Sequence, residues 1–356
     1  MKNTAKTIAL VLLSGAVFFN GCSLIDEDLS VCDTSLSVDY QLRLVTNMQT
    51  ELATQLSLQT DLILTTSLKT HLSGVFTDYA RDVDLSFYDT VDPGAVLEHM
   101  SEEMDDSQSS YTLYIPVRDY MHLSVANIAG SGPVSLEGAD YCGTARLVQH
   151  CSEDGTVESH KTGIFTARKR MNILSGVDQR FDVRLYMANA ATALVLDSEE
   201  ALRVRDLRVE VSGFAESFSI ADSTYNFSEN ADARILTERL EPEGTGELCF
   251  VSVNFPSREL PETNESPETK VIIDTDEIAV SPDAENPLWY WTVYATLEDG
   301  TVTMSNLGVL TPLRAGQFKL VKAKLHDSGI VSTSDPMVGV SVTLDWQGGT
   351  DQNVDL

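Results

Sequence analysis

Positive charge is what this chain lacks most. Its 356 residues hold 24 Lys and Arg against 54 Asp and Glu, a formal net charge of −30. Phosphate-binding surfaces need basic clusters, so a nucleic-acid partner is excluded as the main function. The one basic cluster, "ARKRMN" at Ala167 to Asn172, reads as a solvated loop or strand edge. Cysteine is scarce too: five residues and no C-x-x-C, which removes thioredoxin-type chemistry and the common zinc sites. There is no G-x-S-x-G elbow, no phosphate loop and no H-E-x-x-H. The six histidines (His71, His99, His122, His150, His160, His326) are scattered without ligand spacing. No two of the many carboxylates stand out as a glycosidase pair. Asp274 and Asp276 lack the Asp/Asn ladder and glycine of a calcium loop. The expectation is a protein that is not an enzyme, with no catalytic residues, no metal and no cofactor.

Long apolar runs are also missing, with one exception. Ile8 to Phe19 is a mostly apolar stretch of twelve residues behind Lys2 and Lys6. Crossing a bilayer as a helix takes about 20 apolar residues, so this run has the length and flanks of an export signal instead. Gly21-Cys22 follows it directly, which resembles the processing site of bacterial lipoproteins. That resemblance implies a signal peptide over 1–21, cleavage before Cys22, and acyl chains on the cysteine. At about 0.8 kcal/mol per buried methylene, one chain binds marginally and two or more hold stably. Without Lys2 and Lys6 the remaining 335 residues carry −32.

Export permits disulfides, and Cys32, Cys142, Cys151 and Cys249 allow three connectivities. "CGTARLVQHC" brackets eight residues, a span that a hairpin can close, which favours Cys142 with Cys151. Cys32 with Cys249 then follows only by elimination.

What is abundant is alternation. In "LSVDYQLRLV", Leu36, Val38, Tyr40, Leu42 and Leu44 share one face against Ser37, Asp39, Gln41 and Arg43. That is a half-buried strand. "VDLSFY", "YTLYIPV", "MHLSVANIAG", "FDVRLYM", "LRVEVSGF", "LCFVSVNF", "LWYWTVYATL", "FKLVKAKL" and "MVGVSVTLDW" repeat the pattern, with turn signals such as "GSGP" and "EDG" between them. Asn47 to Gly74 mixes helical and strand spacings and predicts at most one short helix with loops. The polar, Gly-containing stretch "RMNILSGVDQR" predicts a domain boundary. The chain is therefore expected to be all-β, with two antiparallel β-sandwich domains in series: a tether over 22–34, then 35–175 and 176–356. In "LWYWTVYATL", Trp289 and Trp291 share a face with Val293, Ala295 and Leu297, which predicts core burial and argues against an exposed sugar platform.

The order of motifs adds a family resemblance. A lipoprotein cysteine precedes "IDEDLSVC", "LSVDYQLRLV", "FTDYARDVDLSFYD" and "YTLYIPVRDYMHLSVANIAG"; "FDVRLYMANAA", "WTVYATLEDG" and "LRAGQFKLVKAKL" follow. The series resembles the FimB-type fimbrial anchor lipoproteins of type V pili and covers most of the mature chain. The resemblance implies transthyretin-like, Greek-key sandwiches held at the outer membrane. It also implies fimbrial shaft subunits as partners, strand addition as the joint, and an acidic "SLIDED" tract that directs the lipoprotein to the outer leaflet. The competing expectation is a surface lipoprotein that captures glycans; a hydrolase ranks third.

Changing Cys22→Ala is expected to abolish labelling by a fatty-acid analogue and to release the protein from outer-membrane fractions. Continued labelling of the variant contradicts the anchor.

Overall fold

The computed structural model describes residues 35–45, 48–57, 61–91, 93–104, 110–228, 233–242, 246–259, 287–335, 337–346 and 349–355. Cys22 and Cys32 lie outside the described residues, as do Asp274 and Asp276. The described chain is all-β apart from two helices, and its strands form four sheets.

The first sheet runs β3 (Val96–Glu103), β2 (Asp82–Asp89), β5 (Asp119–Ala126), β9 (Phe165–Asn172), β10 (Arg180–Met187), β1 (Ser35–Val45) and β4 (Ser110–Pro116). Alternation makes it two-faced. Val38, Tyr40 and Leu42 of β1, Leu113 and Ile115 of β4, and Val183 and Leu185 of β10 enter one buried cluster. The intervening Ser37, Asp39 and Arg43 are exposed.

Two helices lie against that buried face, α1 (Met48–Ser57) and α2 (Leu62–Val75). This is one helix more than the leucine spacing predicts. Met48, Leu52 and Leu56 form one i, i+4 stripe and Leu64, Leu68 and Leu72 another, both buried in the same cluster. The stripes are one residue wide, so helical periodicity is faint. Asp61 caps α2, its Oδ1 accepting from Ile63 N at 2.7 Å and Leu64 N at 2.9 Å.

A second sheet, β16 (Glu238–Leu240), β17 (Glu247–Asn254), β11 (Ala190–Asp197), β20 (Phe318–Leu325) and β21 (Val331–Ser332), closes the helix layer from the other side. Ala191, Ala193 and Val195 of β11 join the helix cluster, while Ala190, Leu194 and Leu196 point into the next core. There they meet the third sheet: β23 (Gly349–Asp355), β22 (Val338–Trp346), β19 (Val302–Val309), β18 (Trp289–Leu297), β12 (Val204–Ser212), β15 (Arg234–Leu236) and β8 (Thr156–Val157). A small fourth sheet, β14 (Thr224–Asn226), β13 (Ser217–Ser219), β7 (Arg146–Gln149) and β6 (Val134–Glu137), covers the other face of β2 and β5 through Leu147, Phe218 and Ile220.

The strand pairing crosses the sequence division expected at 175/176. β10 lies beyond it, yet pairs with β1 over seven residues and with β9, inside the first sheet. β7 pairs with β13, and β8 with β15, so strands from the first part also enter sheets of the second. "SGVDQR" is thus a turn within a sheet, with Gly176 at φ +73°. Three pairs (β1 with β10, β11 with β20, β8 with β15) are parallel within the otherwise antiparallel architecture.

Trp289 and Trp291 are fully buried in the core between the second and third sheets. Trp289 Nε1 donates to Thr311 O at 2.8 Å. Gly213, at φ +95°, lets this strand come close: a Cβ there would stand 2.7 Å from Trp289 Cα. Replacing Trp291 by Ala is expected to cost about 3–5 kcal/mol of unfolding free energy, as large core truncations do. A denaturant titration with unchanged midpoint would contradict its core role.

Candidate strand-accepting edge

A strand at a sheet edge presents unpaired N–H and C=O groups, and natural edges are usually blunted by charge, shortness or proline. The edges here can be ranked on that basis. β3 carries Glu98, Glu102 and Glu103; β23 carries Asp351 and Asp355. β6 has four residues and ends on Glu137, and β14, β16, β21 and β8 have three or fewer. β4 differs. "SYTLYIP" is seven residues without a charged side chain, paired to β1 on one side from Ser35↔Pro116 to Gln41↔Ser110. No described strand lies beyond it. Leu113 and Ile115 hold it to the core, while Tyr114 is 71% exposed. Among the blunting features a strand can carry, β4 has only the proline at its end. The alternation in the sequence marks this strand but not its edge position, which depends on pairing between residues 69 to 81 positions apart.

Its place relative to the start of the described chain is also defined. Pro116 faces Ser35, the first described residue, thirteen positions after Cys22. An extended chain of that length spans at most about 45 Å.

One buried group resembles catalytic machinery. Tyr40 Oη lies 2.5 Å and Ser124 Oγ 2.7 Å from His122 Nε2, and the two hydroxyls are 3.0 Å apart. His122 Nδ1 donates to Ser86 O at 3.0 Å, because a carbonyl can only accept. Nε2 is therefore the acceptor of a neutral imidazole. Phe87 stacks on its ring at 4.2 Å, and Tyr40, His122 and Ser124 have no exposed surface. A hydroxyl–imidazole pair without access to substrate satisfies polar groups in the core. Burial lowers the His122 pKa to about 3. His160 is similarly placed: it is buried and lowered to about 3, with Nε2 donating to Gln149 Oε1 at 2.8 Å. Among the described residues no group of His, Cys, Asp and Glu is arranged to hold a metal.

The expected Cys142–Cys151 link is not formed: both are free thiols, Cys142 half-buried and Cys151 exposed. The hairpin is formed by β6 and β7. Cys142 opens a 3-10 turn in its loop and Cys151 lies past the end of β7. The first and last Cα atoms of the four-residue β7 alone stand about 10 Å apart, above the roughly 7 Å limit on Cα separation for a disulfide. Cys249 is fully buried and unpaired, its thiol pushed up to about 12 by desolvation.

No family model matches the chain, and no curated protein matches it. Solved structures resemble it at low identity. A candidate adhesin from Bacteroides ovatus is 12% identical, with TM-score 0.47, over 80% of this chain and 86% of its own. A candidate polysaccharide-binding protein from Bacteroides thetaiotaomicron is 10% identical, with TM-score 0.47, over 90% and 98%. The fimbrial anchor protein Mfa2 from Porphyromonas gingivalis is 9% identical, with TM-score 0.44, over 87% and 97%.

The two neutral imidazoles set a pH dependence. An unfolded histidine takes up a proton near pH 6.5, whereas these two do so only near pH 3 in the folded chain. Their contribution to stability is complete above pH 6.5 and falls as the pH drops toward 3, at up to about 1.4 kcal/mol per pH unit for each. Melting temperature should therefore fall below pH 6.5, and more gently in His122→Gln than in the parent. Parallel pH profiles would contradict the assignment.

Proposed function

We propose that this protein is a non-catalytic outer-membrane lipoprotein that anchors or terminates a fimbria, taking a strand of a shaft subunit on the open edge of β4. The observation that carries this reading is the seven-residue, uncharged edge strand beside the strand that receives the tether. A partner strand added there gains main-chain hydrogen bonds along β4 and packs alternate side chains next to exposed Tyr114. The export run, Cys22 and the order of β motifs support the same reading from the sequence. The alternative of a glycan platform built on the tryptophans loses its residues, since Trp289 and Trp291 are core.

Deletion of the gene is expected to leave pili made but shed into the medium. Cys22→Ala should fail to restore attachment. Thr112→Lys, which puts a charge on the exposed side of β4, should abolish retention with little change in melting temperature. Ser101→Lys, on the already charged β3 edge, should restore attachment like the parent. A main-chain ladder resists salt, so retained pili should stay bound at 1 M salt, where the screening length is about 3 Å. Firm attachment in the deletion strain would remove the anchor role, and full retention by Thr112→Lys would remove β4 as the acceptor.

A further inference from the structure

The scarce positive charge of this chain is not evenly spread. On the outer face of the first sheet, Arg43 of β1 stands directly opposite Arg184 of β10 in the parallel register. β9 and β10 pair at Tyr186↔Thr166 and Met187↔Phe165, and beyond these pairs Arg168 of β9 and Arg184 of β10 line the gap between the strands. Arg170 follows on β9. All four arginines are exposed, and among the described residues none forms an ion pair. The one acid between them, Asp182, is engaged by Arg180 at 3.3 Å.

Beside this row the sheet opens. Backbone pairing between β9 and β10 stops after two residue pairs, and the strands part around a cleft of about 330 Å³ lined by Arg168, Lys169, Asp182, Arg184 and Tyr186. Lys169 Nζ reaches across it to Asp182 O at 2.6 Å. Tyr186, 56% exposed, stands next to Arg184 on the same face.

This arrangement works against the fold. Like charges directly opposite across strands destabilise a sheet, and 54 carboxylates offer ready partners elsewhere on the chain. A local rule broken without compensation within the fold points to a ligand. Guanidinium forks match carboxylate and sulfate groups bidentately, and an exposed tyrosine ring beside them suits stacking on a sugar ring. A protein partner would need a cluster of apolar anchors, and beside the arginines this face offers only Tyr186 among the described residues, Tyr114 lying opposite Ser37 at the other end of β1.

We propose that the arginine row on β1, β10 and β9, with its adjoining cleft, binds an anionic polysaccharide through carboxylate or sulfate groups, separately from the β4 edge. The test is retention of the purified full chain on immobilised polygalacturonate, heparin, neutral dextran and polyglutamate at low ionic strength. Binding to one or both anionic glycans and not to dextran is expected, and retention by only one of them names carboxylate or sulfate as the recognised group. The affinity should weaken with added salt, because the patch is exposed. Arg43→Gln, Arg168→Gln and Arg184→Gln combined should weaken it roughly tenfold. Arg203→Gln, exposed and paired with Asp299, should leave it unchanged. Arg184→Gln alone should bind less while its melting temperature stays level or rises, the reverse of a structural residue. Should the triple variant melt early, Arg168→Gln with Arg170→Gln on β9 alone takes its place. The proposal is overturned by absence of retention on both anionic glycans, by unchanged binding in the folded variants, or by retention on polyglutamate in preference to them.

Discussion

Double-sided burial of the strand Ala190–Asp197 is the constraint on which this architecture rests. Its odd residues enter the helix-containing core and its even residues the tryptophan core. A strand buried on both faces cannot carry charge on either, and "AATALVL" carries none until the half-buried Asp197 at its end. On the helix side its residues are Ala191, Ala193 and Val195, which leave room for the leucine stripes of α1 and α2. On the other side, Leu194 and Leu196 fill the space before Trp289 and Trp291. Polar satisfaction follows the same plan. The Thr192 hydroxyl donates to Lys319 O at 2.9 Å, within the parallel ladder with β20.

The chain enters this strand from β10 through Ala188 and Asn189, changing sheets in two residues. Asn189 has no exposed surface, and its side chain serves both flanks of the crossing. Oδ1 accepts from Ile164 N at 3.1 Å and Nδ2 donates to Thr162 O at 2.8 Å, while its own carbonyl accepts from Gly316 N at 2.8 Å. Buried amides leave large penalties when unpaired, so the crossing has one low-energy geometry. With one strand in both cores and β7 and β8 paired to strands far along the chain, the two parts fold around shared elements.

Much of this was legible in the sequence, and the illegible parts have physical causes. Strands with one wet face announce themselves: Val38, Tyr40 and Leu42, or Trp289, Trp291 and Val293, alternate with polar neighbours because one side meets solvent or a sheet rim. β11 does not alternate in polarity, since both its faces are dry. The helices hide because each buries a single leucine row. β10 sits behind a glycine-containing polar turn that has the composition of a linker, and only non-local pairing with β1 reveals its sheet. The same non-locality concealed β4 as an edge and turned "ARKRMN" from a solvated cluster into part of a row with Arg43 and Arg184. Cys142 and Cys151 are close in sequence, but an extended strand between them separates what a hairpin would have joined.

The position of β1 bears on how an anchored molecule carries load. It lies between β10 and β4, paired over seven residues with each, and in the proposed reading its first residue is where the tether would arrive. Were Cys22 held in a membrane, as proposed, tension on the chain before β1 would act along the axis of that strand. Both ladders would then be loaded in shear, and many hydrogen bonds would have to yield together instead of opening one after another from an end. A partner strand paired along β4 would be loaded the same way, parallel to its own hydrogen-bonded ladder and one strand away from the tethered one. The force path would run from membrane to β1 to β4 to partner within a single sheet, bypassing the shared cores. Resistance to forced opening is set by an unfolding barrier and not by equilibrium stability. Shear across two seven-residue ladders would raise that barrier where the load enters the sheet.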